Sequence, residues 1–195
     1  RDFTGARYKI QSTPSGSLPI DQDLFTTITR GMPGSAMPSF TRLTETERWT
    51  LVHYIKTFSD KFQTQTPRPS VVPGQEPPMT PETVAKGKVV YALLGCTSCH
   101  GVAGAGDGLS ASTLKDASGF PILPNNFTRG VYKGGGTNAD IYMRFTTGMA
   151  GTPMPSYEMV VNEAERWALV HYVKSLAGSK VAVQPSTGLI TAKKI

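Results

Sequence analysis

The chain of 195 residues carries two copies of one pattern, and that repeat limits what it can fold into more than any other feature. Gly31-Met32-Pro33-Gly34-Ser35-Ala36-Met37-Pro38-Ser39-Phe40 answers to Gly148-Met149-Ala150-Gly151-Thr152-Pro153-Met154-Pro155-Ser156-Tyr157. Glu47-Arg48-Trp49-Thr50-Leu51-Val52-His53-Tyr54-Ile55-Lys56 answers to Glu165-Arg166-Trp167-Ala168-Leu169-Val170-His171-Tyr172-Val173-Lys174. The match extends upstream, where Asp2-Phe3-Thr4 and Tyr8-Lys9 stand against Asn126-Phe127-Thr128 and Tyr132-Lys133. Self-similarity of this kind means one folding unit used twice.

The two copies differ in one respect. Ahead of the second lies Cys96-Thr97-Ser98-Cys99-His100, which uses both cysteines of the chain. This is the C-x-x-C-H pattern of covalent haem attachment. Each thiol adds to one vinyl group of the porphyrin, and the adjacent imidazole supplies an axial nitrogen to iron. A redox dithiol or a structural disulfide would have no need of His100. Met154 is the candidate for the opposite axial position. Pro153 and Pro155 on either side keep it out of a helix and in a fixed, extended loop. A thioether is a soft, neutral ligand that raises the potential of haem iron. Met149 is the nearest competitor, while Met143 and Met159 read as packing residues.

The first copy has no C-x-x-C-H. By the repeat, Met37 stands where Met154 stands, and a haem ligated there takes its attachment half from sequence ahead of residue 1. Two readings stand side by side. Either the chain is part of a longer protein, or the first copy is a half-domain without haem and with an exposed apolar face.

Local signals divide the chain into residues 1–58, the distal half of a first domain; 59–81, a linker rich in Pro, Thr, Ser and Gln; 82–178, a complete second domain; and 179–195, a polar tail. Leu24 and Ile28 mark a helix over 20–30. Thr44 and Glu47 form a capping box for a helix to about Phe58. Thr80 and Pro81 open a helix that carries Val84, Val89, Val90, Leu93 and Leu94 and delivers the thiols at its end. Gly101, Gly104, Gly106 and Gly108 permit tight turns and close backbone approach to a flat cofactor. A short helix over Asp140–Thr147 leads into the methionine loop, and Asn162 caps a last helix ending near Gly178. No strand pattern is strong, so the fold class is all-α. Trp49 and Trp167 read as core residues between helices, with a place at the haem edge as the alternative. His53 and His171 occupy matching positions and read as packing or hydrogen-bonding residues rather than ligands.

Taken together, Cys96, Cys99, His100, Gly101, Gly106, Asp107, Gly108, the proline-flanked Met154 and the last helix with Trp167 and Tyr172 resemble class I cytochrome c of the two-domain, dihaem periplasmic type. The resemblance covers the second domain and the later half of the first. It implies tandem cytochrome c domains, covalent haem c at Cys96 and Cys99, axial ligation by His100 and Met154 (and by Met37 in the first domain), and one-electron transfer without catalysis of its own. It also implies a proline carbonyl, from Pro121 or Pro124, accepting a hydrogen bond from His100. The tandem form is similar to dihaem cytochromes found with membrane-linked respiratory complexes and molybdenum oxidoreductases, so redox proteins are the expected partners and the periplasm or another extracytoplasmic compartment the expected location. A structural electron-transfer subunit of a large complex or cytochrome filament is the alternative, followed by a dihaem peroxidase, which would need an open axial site.

The net charge of +6, from 20 basic and 14 acidic residues, fits either ordinary solubilising charge or a positive face built from Arg129, Lys133, Arg144 and Arg166 for an acidic redox partner. There is no basic run or motif for nucleic acid, no stretch able to span a membrane and no visible signal peptide.

Overall fold

The computed structural model describes residues 2–178 and is helical, as expected for an all-α chain. Seven helices run in order: α1 (Asp21–Arg30), α2 (Glu45–Lys56), α3 (Lys61–Thr64), α4 (Pro81–Leu93), α5 (Cys96–His100), α6 (Asn138–Thr147) and α7 (Glu163–Ser175), with single 3-10 turns at Ala111–Thr113 and Phe127–Arg129. Among the described residues no strand forms, and the one isolated bridge pairs Lys115 with Pro121. No described helix is long and apolar enough to cross a membrane. The tail from 179 to 195 lies outside the described residues.

Capping chemistry sets the helix starts. Thr44, Thr80, Thr137 and Asn162 each accept a hydrogen bond from the backbone N–H three residues on, which satisfies one of the donors that a helix start leaves free. Glu47 and Glu165 complete the boxes by accepting from the backbone N–H of Thr44 and Asn162. Thr137 places the start of α6 two residues before the sequence expectation.

Two apolar clusters form. One gathers Tyr8, Leu18, Leu24, Ile28 and Val52. The other gathers Tyr91, Phe127, Tyr142, Phe145, Trp167 and Leu169 with their neighbours. The repeat is preserved in space. Phe25 stacks on Trp49 with centroids 4.3 Å apart, and Tyr142 lies against Trp167 at 4.5 Å with the rings tilted by 37°. Arg48 lies over Phe25 and Arg166 over Tyr142, at 5.2 and 5.3 Å.

The copies part company over what covers their last helix. In the second unit α4 crosses α7 so closely that a Cβ on Gly87 would lie 1.9 Å from the Ala168 carbonyl oxygen. The crossing buries α7 from Trp167 to Val173, and Tyr172 is 6% exposed. No described helix crosses α2 as α4 crosses α7, and on its matching face Tyr54 is 59% exposed and His53 is also open. Not all of the apolar residues assigned to α4 are inside it: Val90 is buried, whereas Val89 and Leu93 face solvent.

The linker is less free than its composition suggests. After α3 it runs extended but pinned. Val71 N–H donates to the Ser12 carbonyl, and Arg68 donates to the Ser15 carbonyl and to Ser17 Oγ. Further on, Glu76 accepts from Asn138 Nδ2 and lies 3.4 Å from His171 Nε2.

Candidate haem site

The attachment motif is not the end of α4. That helix stops at Leu93, Gly95 turns the chain with φ of 71°, and Cys96–His100 form the separate turn of helix α5. The glycines that follow serve this turn. Gly106 N–H donates to the His100 carbonyl and Gly108 N–H to the Cys99 carbonyl, at 2.8 and 3.2 Å. A Cβ on Gly108 would meet the Ser98 carbonyl oxygen at 2.3 Å. Gly101, Gly104, Gly106 and Gly108 do not line the cavity described below. Gly101, Gly104 and Gly106 turn the chain with φ of 71–78°, and a Cβ would meet Asp107 at Gly101, Leu176 and Phe127 at Gly104, and the Pro124 and Asn125 backbone at Gly106, so the tight turns expected of them are present.

The His100 ring stacks on Phe127, with centroids 4.5 Å apart and planes 19° from parallel. Its Nδ1 lies 3.0 Å from the Asn125 carbonyl oxygen. A carbonyl only accepts, so Nδ1 carries the proton and Nε2 keeps the lone pair. Burial pushes the pKa of His100 down, against the pull of the Asn125 bond, and the neighbouring Lys133 lowers it further. The imidazole is therefore held neutral, as a metal ligand must be. The carbonyl belongs to Asn125, the residue after Pro124, and not to Pro121 or Pro124 as expected. Asn125 is itself fixed by its side-chain amide, which donates to the Val131 carbonyl at 2.9 Å. A loop carbonyl has no side-chain signature, so only the path of the chain reveals which residue supplies it.

Cys96 is buried and Cys99 partly so, and the two are not joined in a disulfide. Burial pushes the Cys96 thiol up to about 11 and the adjacent Tyr157 hydroxyl up to about 12, so both are protonated at neutral pH. Proximity of Tyr157 to the first cysteine was not legible in the sequence.

The Met154 loop is held by its own backbone. Met149 N–H donates to the Met154 carbonyl (3.1 Å), Met154 N–H to Thr152 Oγ1 (3.2 Å), and Tyr157 N–H to the Phe145 carbonyl (2.9 Å). Gly148 makes the turn possible: its φ is 68° and ψ −162°, a region that only glycine occupies readily. The Met37 loop repeats this bond for bond. Met32 N–H donates to the Met37 carbonyl (3.0 Å), Met37 N–H to Ser35 Oγ (3.2 Å), and Phe40 N–H to the Ile28 carbonyl (3.1 Å), behind Gly31 at φ 69° and ψ −163°.

Cys96, Cys99, His100, Met154 and Met37 all line one continuous cavity of about 800 Å³ with predominantly apolar walls. Met149 lines it too, whereas exposed Met159 does not, and Met143 packs against the core beside it. His171 is fully buried elsewhere, with Nδ1 2.8 Å from Thr83 Oγ1, and neither it nor His53 reaches the cavity. Trp167 is a core residue, as expected. Of the four cations assigned to one face, Lys133 and Arg144 line the cavity, while Arg166 is turned to the Tyr142 ring and the Glu158 carbonyl. Among the described residues there is no cluster of His, Cys, Asp and Glu able to hold a bare metal ion. The donor set fits a flat, apolar, covalently tethered metal complex: two thiols and an imidazole within five residues, a thioether on a rigid loop, and apolar walls.

The family model for cytochrome c matches residues 84–177. A solved chain of the reducing HAO-like protein complex Kustc0457/Kustc0458 of Kuenenia stuttgartiensis is similar at 48% identity, with a TM-score of 0.89, over 91% of this chain and 81% of that one. No curated protein matches the chain.

Proposed function

Because this chain belongs to the cytochrome c family through residues 84–177, and with that family implying covalent haem c and haem-based electron transfer, we propose that it is a dihaem electron relay working as a subunit of an extracytoplasmic redox complex. Convergence of Cys96, Cys99, His100 and Met154 on one apolar cavity carries the reading. Haem, when bound, supplies a one-electron iron couple. The chain's own residues do the rest. Cys96 and Cys99 are the attachment points. Phe127 and the Asn125 carbonyl fix the plane and tautomer of His100. The loop around Met154 holds a thioether in place without help from the ligand. His100 and Met154 would hold a bound haem iron from two sides, and this supports a carrier rather than an enzyme.

Two observations favour a second haem against Met37. The Met37 loop has the same hydrogen bonds as the Met154 loop, an expense of backbone freedom with no packing purpose evident in the first unit. The face of α2 that corresponds to the α4-covered face of α7 is open. A haem-attachment segment with a helix like α4 would complete the first unit on both counts. The role in a complex is supported by the similar chain, which is part of a reducing HAO-like complex. Redox proteins are then the partners.

Intact mass with haem quantitation as the reduced pyridine adduct tests this. The full-length protein is expected to carry two covalent haems. One haem per polypeptide would remove the relay and leave a single-haem carrier. Binding of carbon monoxide to the reduced native protein as fast as to a five-coordinate haem would remove the carrier reading in favour of a peroxidase-like site.

A further inference from the structure

Arg144 on α6 is the one guanidinium that both lines the cavity and bridges the two units. Its Nη1 donates to the Lys9 carbonyl at 3.3 Å and its Nη2 to the Gln11 carbonyl at 2.6 Å, so two arms of the fork hold first-unit backbone. Thr147 Oγ1 reaches the same Gln11 carbonyl at 3.4 Å. Gln11 in turn organises the loop that follows, its Nε2 donating to the carbonyls of Thr13, Pro14 and Ser17. The third nitrogen of the guanidinium, Nε, is shielded from solvent and has no hydrogen-bond partner. Among the described residues no carboxylate lies within ion-pair distance of this guanidinium; Asp23 and Asp140 act on its charge only from further away, Asp140 being paired with Arg30 and Asp23 accepting from the Ile20 N–H. Room for the side chain comes from Gly134, where a Cβ would lie 2.8 Å from Arg144 Cδ and 3.2 Å from Nε.

A cation in a desolvated site with a buried, unpartnered N–H at Nε is costly unless an anion completes it. Burial pulls this guanidinium down to about 10, still protonated at neutral pH, so the charge stays and the demand with it. The second unit alone has this device, because Thr27 stands at the matching position of the first. It is thus a feature of the junction and not of the repeated unit.

We propose that Arg144 is a clamp between the units: its two terminal nitrogens hold the Lys9–Gln11 backbone while Nε and the charge take up a carboxylate of haem bound in the cavity, so that haem occupancy and docking of the first unit reinforce each other. This rests on the cavity being the haem site. The carboxylate belongs either to the haem tethered at Cys96 and Cys99 or to one seated against Met37, and resolved titrations of the two separate these sources. A charge-assisted bond of this kind also favours ferrous over ferric haem, because the guanidinium opposes the extra positive charge of Fe(III). The other charged groups facing the cavity are Lys9 and Lys133.

The test uses the holoprotein. Haem content is measured first, since a wild-type chain without covalent haem overturns the site reading itself, before any variant is compared. Spectroelectrochemical titration and backbone hydrogen exchange over residues 9–18 are then run on wild type, R144Q and R144K. R144Q is expected to raise the ferric-to-ferrous ratio of at least one haem about tenfold at fixed ambient potential, a fall of about 59 mV for a one-electron couple, and to speed exchange over 9–18. R144K keeps the cation but cannot bridge both carbonyls. It is expected to show less than about a threefold change in the ratio with exchange accelerated as in R144Q; if R144Q does not fold, this variant decides. An unchanged ratio in R144Q, or in R144K unchanged exchange, overturns the clamp and leaves Arg144 as a bridge between backbones or as a surface charge.

Discussion

Replacing Gly148 by alanine tests whether the methionine loop is placed by its backbone. At φ 68° and ψ −162°, a side chain is strained by about 1–3 kcal/mol before any contact is considered. The added Cβ would then lie 2.7 Å from the Pro155 carbonyl carbon and 2.7 Å from the Ser156 nitrogen. These are backbone atoms next to Met154, so no rotamer change relieves them. Ordinary contact begins at 3.4 Å, and the loop must retreat by about 0.7 Å, the difference between the two distances. That exceeds the tolerance of about 0.5 Å within which a functional group must be held. Overpacking adds about 1–3 kcal/mol, and the stiffer unfolded chain returns about 0.4–1 kcal/mol. The net loss is then about 1–6 kcal/mol, or at least about 4 °C in Tm for a domain of this size. Absorption and magnetic circular dichroism of the ferric holoprotein read the methionine–iron bond directly, and a thermal scan reads stability. G148A is expected to lose the methionine signature and the stability together. G31A makes the matching clash with Pro38, 2.6 Å from its carbonyl carbon, and is expected to spare ligation by Met154. Full methionine ligation in G148A with Tm within about 2 °C of wild type would show that the iron–sulfur bond, and not the loop, sets the position, and would refute the reasoning.

Three further outcomes are expected. In G87A, alanine gains about 1 kcal/mol of helix propensity; the 1.9 Å approach of its Cβ to the Ala168 carbonyl oxygen outweighs that gain, so calorimetry should show a lower Tm, and a higher one would mean that the α4–α7 crossing is looser than described. H171L removes a buried hydrogen bond to Thr83 and is expected to cost about 1–3 kcal/mol in denaturant unfolding while leaving the haem spectrum unchanged; a changed axial signature would contradict its placement away from the iron. The Glu47 carboxyl is held below its ordinary value by the Thr44 N–H and then by the Thr44 hydroxyl. Its contribution is therefore complete above the unfolded pKa and lost as pH falls through the folded one, so E47Q should flatten the acid limb of the stability profile, and an unaltered limb in pH-dependent urea titrations would show the cap to be inert.

What the sequence determined by itself is whatever is written in covalent order or within one helical turn. Cys96, Cys99 and His100 are contiguous, Met154 is marked by its prolines, and the capping residues announce helix starts within a residue or two. The repeat carried Met37 along with Met154, and its loop has the matching hydrogen bonds. The tertiary structure alone decided which groups distant in sequence meet. Asn125 supplies the carbonyl for His100 from 25 residues away, and any residue could have done so, because the acceptor is backbone. Gly87 looks like a helix weakener until Ala168 is seen against it. Arg144 was legible only as one of four cations for a possible positive face, yet its two terminal nitrogens hold carbonyls of the first unit from beside a cavity that both units line. Val89 and Leu93 are apolar and exposed for the same reason: hydrophobicity says that a side chain prefers to be covered, while only the path of the rest of the chain says whether anything arrives to cover it.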